Sequence, residues 1–468
     1  MNDIMFNLNK ITIVGLLGLS TLYSAHSHGQ SLETAVAQAL DTHPNIRQAF
    51  ARFKSKEEDV NRASAGYLPT VDLTAGYGYE YTDTPGNRRN AINGEDGETE
   101  LARGEFGISI KQILFDGMYT SNEIDRTKFE ASAEQWTLIA SAEDLALEVA
   151  KAYLNFIKTA ELVTLSEKNI ESHRAIYLQI KERTDSGLGN IADLSQVTGR
   201  LARAQSNMIS ARNNHLDART QFIRLTNTQP DHLVLPVPDA DMLPKDKQVG
   251  LSLAIESHPV IRSAQQDIKA ARSFKKSTKA SYYPTLSLEL AANSDNDIAG
   301  ESGLNRLGAN VGGHRNDATA MLRLRYNFFS GGKDIASEKS AAYKVSEAQE
   351  INYSAHRQVT ESYGLAWNAF EMLALQKTYI KQHIITSKDT QTAYKQQFDI
   401  GQRNLLDLLD TENELFQARK DYLDADFNEL SAQYRLLNVT GQLLDSLRVT
   451  RSSAWQGEHE YEEGAYNE

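Results

Sequence analysis

The segment FDIGQRNLLDLLD, residues 398–410, nearly repeats the segment DSGLGNIADL, residues 185–194. Each segment places a glycine, Gly187 or Gly401, a few positions before an apolar run that carries an aspartate. Glycine commonly ends a helix, so each segment predicts the turn of a helical hairpin. The later segment has two aspartates, Asp407 and Asp410, and a spacing of three places them about 60° apart on one helix face.

The near repeat belongs to a duplication of almost the whole chain. Pro44 and Pro69 stand 215 positions before Pro259 and Pro284, and THPNIR matches SHPVIR just as GYLPTVDL matches YYPTLSL. The two hairpin segments are 214 positions apart. A shared period of this kind indicates a tandem repeat. The predicted division is a signal peptide at 1–27, a first repeat at 28–229, a linker at 230–249, a second repeat at 250–448 and an acidic tail at 449–468.

Composition narrows the class of protein. The net charge of −13 argues against a nucleic-acid partner, and the absence of cysteine excludes disulfides and thiolate metal sites. The N-terminus carries Lys10, the apolar run ITIVGLLGLSTLY and small residues suited to cleavage at about 25–29, which predicts export. An uncleaved membrane anchor is the alternative, although the apolar run is short for a membrane helix.

Each repeat is predicted to contain a helix, two strands and a long helical hairpin. The first helix begins at Pro44 or Pro259, with Asp41 or Thr42 as the cap in the first repeat. The segments 117–186 and 332–400 lack proline, which predicts helices of roughly 100 Å. Shorter helices return at 191–226 and 405–440. Rods of this length favour an antiparallel, coiled-coil-like bundle.

Four segments alternate between apolar and polar residues, as strands do when their two faces meet different surroundings. They are residues 71–81, 106–111, 286–290 and 322–328. Transmembrane barrels show this alternation, and so do half-buried sheets of soluble proteins. Arginines on the polar face, polar loops at 82–100 and 293–317 and the export signal favour a membrane barrel. Because four strands cannot close a barrel in lipid, copies must associate: two give eight strands and three give twelve.

The duplicated plan of strands and long helices resembles the TolC family of outer-membrane channel-tunnel proteins over about residues 30–448. The hairpin segments SGLGNIADLSQVTGRLARAQ and FDIGQRNLLDLLDTENELFQARKDY carry the most specific part of the resemblance. It implies a homotrimer with a twelve-stranded outer-membrane barrel and an α-helical coiled-coil tunnel through the periplasm. It also implies a passive exit duct that docks, through a periplasmic adaptor protein, onto an inner-membrane transporter.

The resemblance further implies roles for residues of the hairpin tips. Asp407 and Asp410 would line the constriction at the closed end of the tunnel. Arg403 and the residue at 398 would latch the tip shut, with Asp193 as their acceptor. Position 398 is Phe398, which has no hydroxyl group for a latch bond, so the Arg403–Asp193 pair remains. Spacing alone favours solvated helix residues as the interpretation of these acids, and the tip location together with the resemblance favours the constriction.

Other functional classes fit the sequence less well. Two carboxylates three positions apart on an exposed tip do not face each other across a cleft, and no phosphate-binding glycine loop occurs. We therefore expect no enzyme, no cofactor and no metal centre. A structural surface adhesin is also disfavoured, because the sequence lacks the exposed repeat domain expected of such a protein. The overall resemblance favours type I secretion of a large protein such as an adhesin, and a duct for drug efflux is the alternative. The acidic tail is predicted to be disordered or loosely packed on the waist of the tunnel, and dispensable for insertion into the outer membrane.

Overall fold

The structure, a computed structural model, describes residues 29–83, 85, 98–298, 313–459 and 461. The predicted signal peptide and parts of both predicted hairpin loops lie outside the described residues. The first repeat forms six main elements: α1 (Leu32–Thr42), α2 (Pro44–Ser64), β1 (Thr70–Asp83), β2 (Glu98–Phe115), α3 (Tyr119–Asp185) and α4 (Ile191–Thr226).

The second repeat forms the same elements in the same order. They are α5 (Lys247–Ser257), α6 (Pro259–Thr278), β3 (Thr285–Ile298), β4 (Gly313–Arg325), α7 (Lys333–Asp399) and α8 (Leu405–Val439), followed by the short α9 (Leu443–Ser446). The two long helices, α3 and α7, each have 67 residues and so are about 100 Å long. The predicted duplication and long hairpins are therefore confirmed by the element order.

The helix entries differ from the prediction in one respect. The 11-residue helices α1 and α5 were not predicted, and Asp41 and Thr42 lie in the last turn of α1 instead of capping α2. The imidazole Nδ1 of His43 accepts a hydrogen bond from the Asn45 amide at 3.3 Å, and His258 does the same for Val260 at 3.2 Å. The residue before each proline is thus the cap, because proline fixes the first helical turn immediately after it.

The four strands form one antiparallel sheet in the order β1-β2-β3-β4. The two repeats meet where β2 pairs with β3, and a bulge interrupts that pairing between Ile113 and Phe115. The predicted strand at 322–328 is too long: β4 ends at Arg325, which pairs with Thr285. Pro284 precedes Thr285 and has no N–H group to extend the ladder, so Tyr326 has no partner residue on β3.

One face of the sheet is apolar across all four strands. The register aligns Leu73 with Ile108, Ile110 with Leu290, and Leu288 with Leu322. In the single chain Leu73 (66%) and Leu322 (64%) are largely exposed, as are Tyr77 (78%) and Tyr79 (77%) of β1. An exposed apolar surface of this extent indicates contact with a partner or with lipid.

The opposite face of the sheet is polar and carries ion pairs. Arg103 pairs with Glu80 at 2.6 Å and with Glu105 at 2.7 Å, and Arg323 pairs with Glu289 at 2.6 Å. Opposite charges on neighbouring strands stabilise a sheet only modestly, but they are compatible only with an environment that contains water. The predicted separation into an apolar and a polar face is confirmed.

The main core lies where α1, α2 and the N-terminal half of α3 meet the C-terminal part of the chain. Leu32, Phe53, Leu138 and Leu444 are each no more than 1% exposed in this cluster. Among the described residues, no helix combines the length and the hydropathy that a membrane-spanning helix requires.

The tail contradicts the prediction of loose packing. Trp455 and Tyr461 are 6% and 4% exposed in the main core. The Gln135 side-chain amide donates to the Trp455 and Gln456 carbonyls at 2.9 and 3.0 Å, and the Tyr461 hydroxyl donates to buried Glu57 at 2.9 Å. Two separated aromatic side chains thus anchor a segment whose composition alone suggests disorder.

Candidate functional site: the hairpin tips

Both hairpin turns end their long helices in the same way. Gly187 and Gly401 have φ angles of +80° and +78°, which lie in the left-handed region where glycine is favoured. At the first turn the Gly187 amide donates to the Thr184 carbonyl at 3.0 Å, and the Leu188 amide donates to Arg183 at 2.9 Å. Gly401 and Gln402 make the equivalent bonds to Phe398 and Gln397. This double pattern is a Schellman motif, and it confirms the predicted glycine caps.

An asparagine then starts each returning helix. The Asn190 side chain accepts a hydrogen bond from the Ala192 amide at 2.9 Å, and the Asn404 side chain accepts one from the Asp407 amide at 2.8 Å. Asp407 consequently lies in the first turn of α8. The positive end of the helix dipole stabilises a carboxylate at that position.

An apolar cluster holds the two hairpins of the chain together. Its buried members come from all four tip helices: Ile176, Ile180, Val197, Phe398, Leu405, Leu408 and Leu409. Phe398 is 5% exposed, and the Arg183 guanidinium lies 5.2 Å from the centre of its ring. Phe398 therefore contributes packing and a cation–π contact between the hairpins, which requires no hydroxyl group.

Asp407 and Asp410 each have an arginine partner in the same chain. Asp410 accepts a hydrogen bond from Arg200 of the other hairpin at 2.7 Å, and Asp407 pairs with Arg403 at 3.4 Å. Asp410 is 57% exposed and Asp407 is 33% exposed, so both carboxylates remain accessible to water. The acids lie on one face of α8 as predicted, but each pairs with an arginine of its own chain, and the sequence interpretation predicted neither of these two pairs.

The predicted bond between Arg403 and Asp193 does not form within the described part of a single chain. The Arg403 guanidinium donates to Gln397 at 2.8 Å, pairs with Asp407, and lies 4.1 Å from the centre of the Tyr394 ring. Asp193 is half-buried in the first turn of α4. A bond from Arg403 to Asp193 of a neighbouring copy stays a prediction.

Two arginines that connect the hairpins at the tip were missed by sequence reasoning. Arg200 and Arg183 each reach from the first hairpin to the second, to Asp410 and Phe398 respectively. Arg200 lies seven positions after Asp193, hence on the same face of α4, and that spacing is the one signal that could have drawn attention to it. Among the described residues, no group of three or more carboxylate or imidazole side chains is arranged to hold a metal ion.

Comparison with known proteins identifies the family. The family model described as "Outer membrane efflux protein" matches residues 35–228 and 250–442, which are the two repeats. The chain belongs to the outer membrane efflux protein family. It is 24% identical over 442 residues to the outer membrane protein TolC of Escherichia coli, with 92% of this chain and 86% of TolC covered.

A second relative and a solved structure agree with this family assignment. The alkaline protease secretion protein AprF of Pseudomonas aeruginosa is 20% identical, and the match covers 86% of this chain and 83% of AprF. The crystal structure of the Campylobacter jejuni CmeC outer membrane channel superposes with a TM-score of 0.75 at 16% identity, and it covers 88% of this chain and 86% of that one. The fold of this family member is that of a channel-tunnel.

Family membership settles the broad function. This member of the outer membrane efflux protein family is an outer-membrane efflux or secretion channel whose helices extend into the periplasm, and it is not an enzyme. The predicted resemblance to TolC is confirmed. In a channel, the polar face of the sheet suits a water-filled interior and the apolar face suits lipid.

Proposed function

We propose that three copies of the chain form a passive exit duct for a tripartite export system. The observation that carries this proposal is the four-stranded sheet with one continuous apolar face and two outer strands, β1 and β4, that have no further strand beside them among the described residues. Exposed strand edges are not tolerated in lipid, so neighbouring copies must supply partners. Three copies give twelve strands and an interior wide enough for a channel.

The helices would continue this barrel as a tunnel. At about 100 Å, α3 and α7 are long enough to carry the tips far into the periplasm. Three copies of Asp407 and Asp410 would then surround the closed mouth, and Arg403 would reach Asp193 of the next copy as part of the latch. The mouth would meet the periplasmic adaptor protein, which connects the duct to an inner-membrane transporter.

The cargo is proposed to be a large protein, such as an adhesin, delivered by type I secretion. The similarity to AprF, whose name states that it secretes alkaline protease, supports this choice. The family description names efflux, so export of small molecules is the second candidate. The two candidates are distinguished by deleting the gene: loss of a large surface or secreted protein supports secretion, whereas increased sensitivity to toxic compounds supports efflux.

The mass of the detergent-extracted mature protein tests the assembly. Native mass spectrometry of the outer-membrane fraction should give three chains per particle. The variant Ser453→Ala, which changes an exposed position away from the strands, serves as a control for the preparation and should give the same mass per particle. A stable monomer or dimer would exclude the twelve-stranded barrel and with it the proposed duct.

A further inference from the structure

We propose that a basic stripe at the C-terminal end of α6 binds anionic phospholipids of the periplasmic leaflet of the outer membrane. The basic stripe consists of Arg272, Lys276 and Lys279, which are four and three positions apart and therefore lie on one helix face. Its ligand is the phosphate group of a lipid such as phosphatidylglycerol. The proposal depends on the outer-membrane location of the family, and not on the number of copies or the cargo.

Positive charge is concentrated around the basic stripe, although the whole chain has a net charge of −13. Residues 268–288 contain no aspartate or glutamate, and their basic residues are Lys269, Arg272, Lys275, Lys276 and Lys279. In the first repeat, the equivalent residues 53–73 lie 215 positions earlier and carry the charged residues Lys54, Lys56, Arg62, Glu57, Glu58, Asp59 and Asp72. Because the first repeat forms the same helix and strand, the scaffold itself does not require a basic stripe.

The charges of the basic stripe are available to an external anion. All three side chains are exposed. The Lys279 amine lies 3.5 Å from the carboxylate of Glu338, while Arg272 and Lys276 make no ion pair with any described residue. In the first repeat, by contrast, each of the three basic residues pairs with a carboxylate of the same chain.

The basic stripe faces the outside of the tunnel. In the first repeat the tail forms a second layer on α2, where the Tyr461 hydroxyl donates to Glu57 at 2.9 Å. A second layer inside the tunnel would obstruct it, so this face of α2 is the outer face. Arg272 is the equivalent of Glu57, and Lys276 lies one turn further along the same face. The outer face that the tail covers on α2 is thus open and basic on α6.

The basic stripe ends where the membrane-facing sheet begins. Lys279 starts a 3₁₀-helix that ends at Tyr282, about 6 Å away, and β3 begins at Thr285. Tyr282 and Tyr283 are 40% and 55% exposed. Exposed tyrosines are typical of the membrane–water interface, where transmembrane barrels carry aromatic girdles. The basic stripe therefore lies at the level of the lipid headgroups.

Lysine and arginine can reach the headgroups from this position. Their long apolar stems can lie along apolar surface while the charged group stays in water. Arg272 lies about 10 Å below Lys279 along the helix, so it contributes mainly by attracting anions over that distance. An acidic segment of a partner protein would also match the charge, but the adjoining tyrosines and the apolar face of β3 favour a membrane as the ligand.

The residues of the first repeat supply a matched variant. Asn61 and Ser64 occupy the positions equivalent to Lys276 and Lys279. The double variant Lys276→Asn with Lys279→Ser should therefore fold, because both changes are at exposed positions and α2 accepts the same residues. Each lysine near an anionic surface strengthens binding about fivefold, so we expect the variant to bind phosphatidylglycerol at least about tenfold more weakly.

Native mass spectrometry of the detergent-extracted protein measures lipid binding directly. The wild-type protein is titrated with phosphatidylglycerol and, separately, with phosphatidylcholine of the same acyl chains, and should bind the first at least about tenfold more tightly. Lys245→Ser with Lys388→Asn is the control, because it removes two exposed lysines elsewhere and should bind like the wild type. Lys276→Arg with Lys279→Arg should also keep the preference, since it keeps the charge.

The outcomes decide between a lipid, free phosphate and a protein partner. Phosphatidylglycerol that stays bound in excess inorganic phosphate supports the proposal, whereas its displacement by inorganic phosphate would show a site for any phosphate and overturn it. Equal binding of both lipids by the wild type, or unchanged binding by Lys276→Asn with Lys279→Ser, would also overturn it and favour an acidic protein partner. None of these results bears on the proposed duct, which the mass of the particle tests separately.

Discussion

The ion pair between Arg200 and Asp410 predicts how strongly the channel mouth attracts cations. Arg200 is 25% exposed and donates to the Asp410 carboxylate at 2.7 Å, so it neutralises an acid that would line the mouth of the proposed duct. Replacing it by glutamine, Arg200→Gln, removes three positive charges from the trimer and leaves every aspartate in place. We expect block by divalent cations from the periplasmic side to strengthen, because several carboxylates can share one such ion.

The size of the effect follows from Coulomb's law. Two unit charges 4 Å apart interact by about 1 kcal/mol in water, so a divalent ion held at Asp410 is repelled by one nearby arginine by about 2 kcal/mol. Because salt screens charges in an exposed mouth, roughly 1.4 kcal/mol should remain, which corresponds to a roughly tenfold change in blocking concentration. The pair itself contributes at most about 1 kcal/mol to stability, so Arg200→Gln should still assemble.

Planar-bilayer current with the blocker added to each side in turn measures this effect. Arg212→Gln is the matched control. Arg212 lies on the same helix as Arg200, about 18 Å further from the tip. It makes an exposed ion pair with Glu167 of α3 at 3.0 Å. The double variant Asp407→Asn with Asp410→Asn should lose the block. If Arg200→Gln is blocked at the same concentration as Arg212→Gln, the acids do not control access to the mouth.

Three further predictions concern packing and pH. Trp455→Ala should destabilise the protein by about 3–5 kcal/mol, because the variant removes a buried ring of the tail from the core. Thermal unfolding measures this effect, with the exposed variant Ser453→Ala as the control. Equal unfolding midpoints would show that the tail is dispensable for stability. Burial raises the pKa of Glu143 from 4.5 to about 8, so between these pH values the folded state holds a proton that the unfolded state releases. The free energy of unfolding should therefore fall as the pH rises from about 4.5 through 8. A Glu143→Gln variant that keeps the full pH dependence would refute this assignment. Phe398→Ala should loosen the tip and raise the single-channel conductance several-fold. The control is Leu406→Ala, because the Leu406 side chain is 44% exposed. Equal conductances of the two variants would mean that packing of Phe398 does not hold the tip closed.

The elements that the sequence predicted are those encoded by local rules. Gly187 and Gly401 mark the turns because a positive φ angle favours glycine, and Pro44 and Pro259 mark helix starts because proline fits the first turn. The constant offset between the repeats then extends each local assignment to its counterpart. Strand faces were predictable for the same reason, since alternation is a property of a few neighbouring residues.

The features that were missed depend on contacts between distant parts of the chain. Helix α1 is only 11 residues long, and its buried face is recognisable only once α3 packs on it. The tail is polar except for isolated aromatics, so the burial of Trp455 depends on Gln135, 320 positions earlier. Likewise the pairing of Arg200 with Asp410 depends on how far one hairpin is shifted along the other, which no sequence spacing specifies.

The differences between the repeats explain the chemistry of the mouth better than their similarity does. At the position equivalent to Asp410 the first hairpin has Gln196, and at the position equivalent to Arg200 the second hairpin has Glu414. The hairpins thus differ at both positions that form this pair: only the first hairpin supplies the arginine, and only the second supplies the aspartate. Divergence has therefore made neighbouring hairpins complementary. The duplicated scaffold provides the long helical hairpins, and positions at which its halves differ, such as 196 and 410 or 200 and 414, determine which charges meet at the hairpin tips.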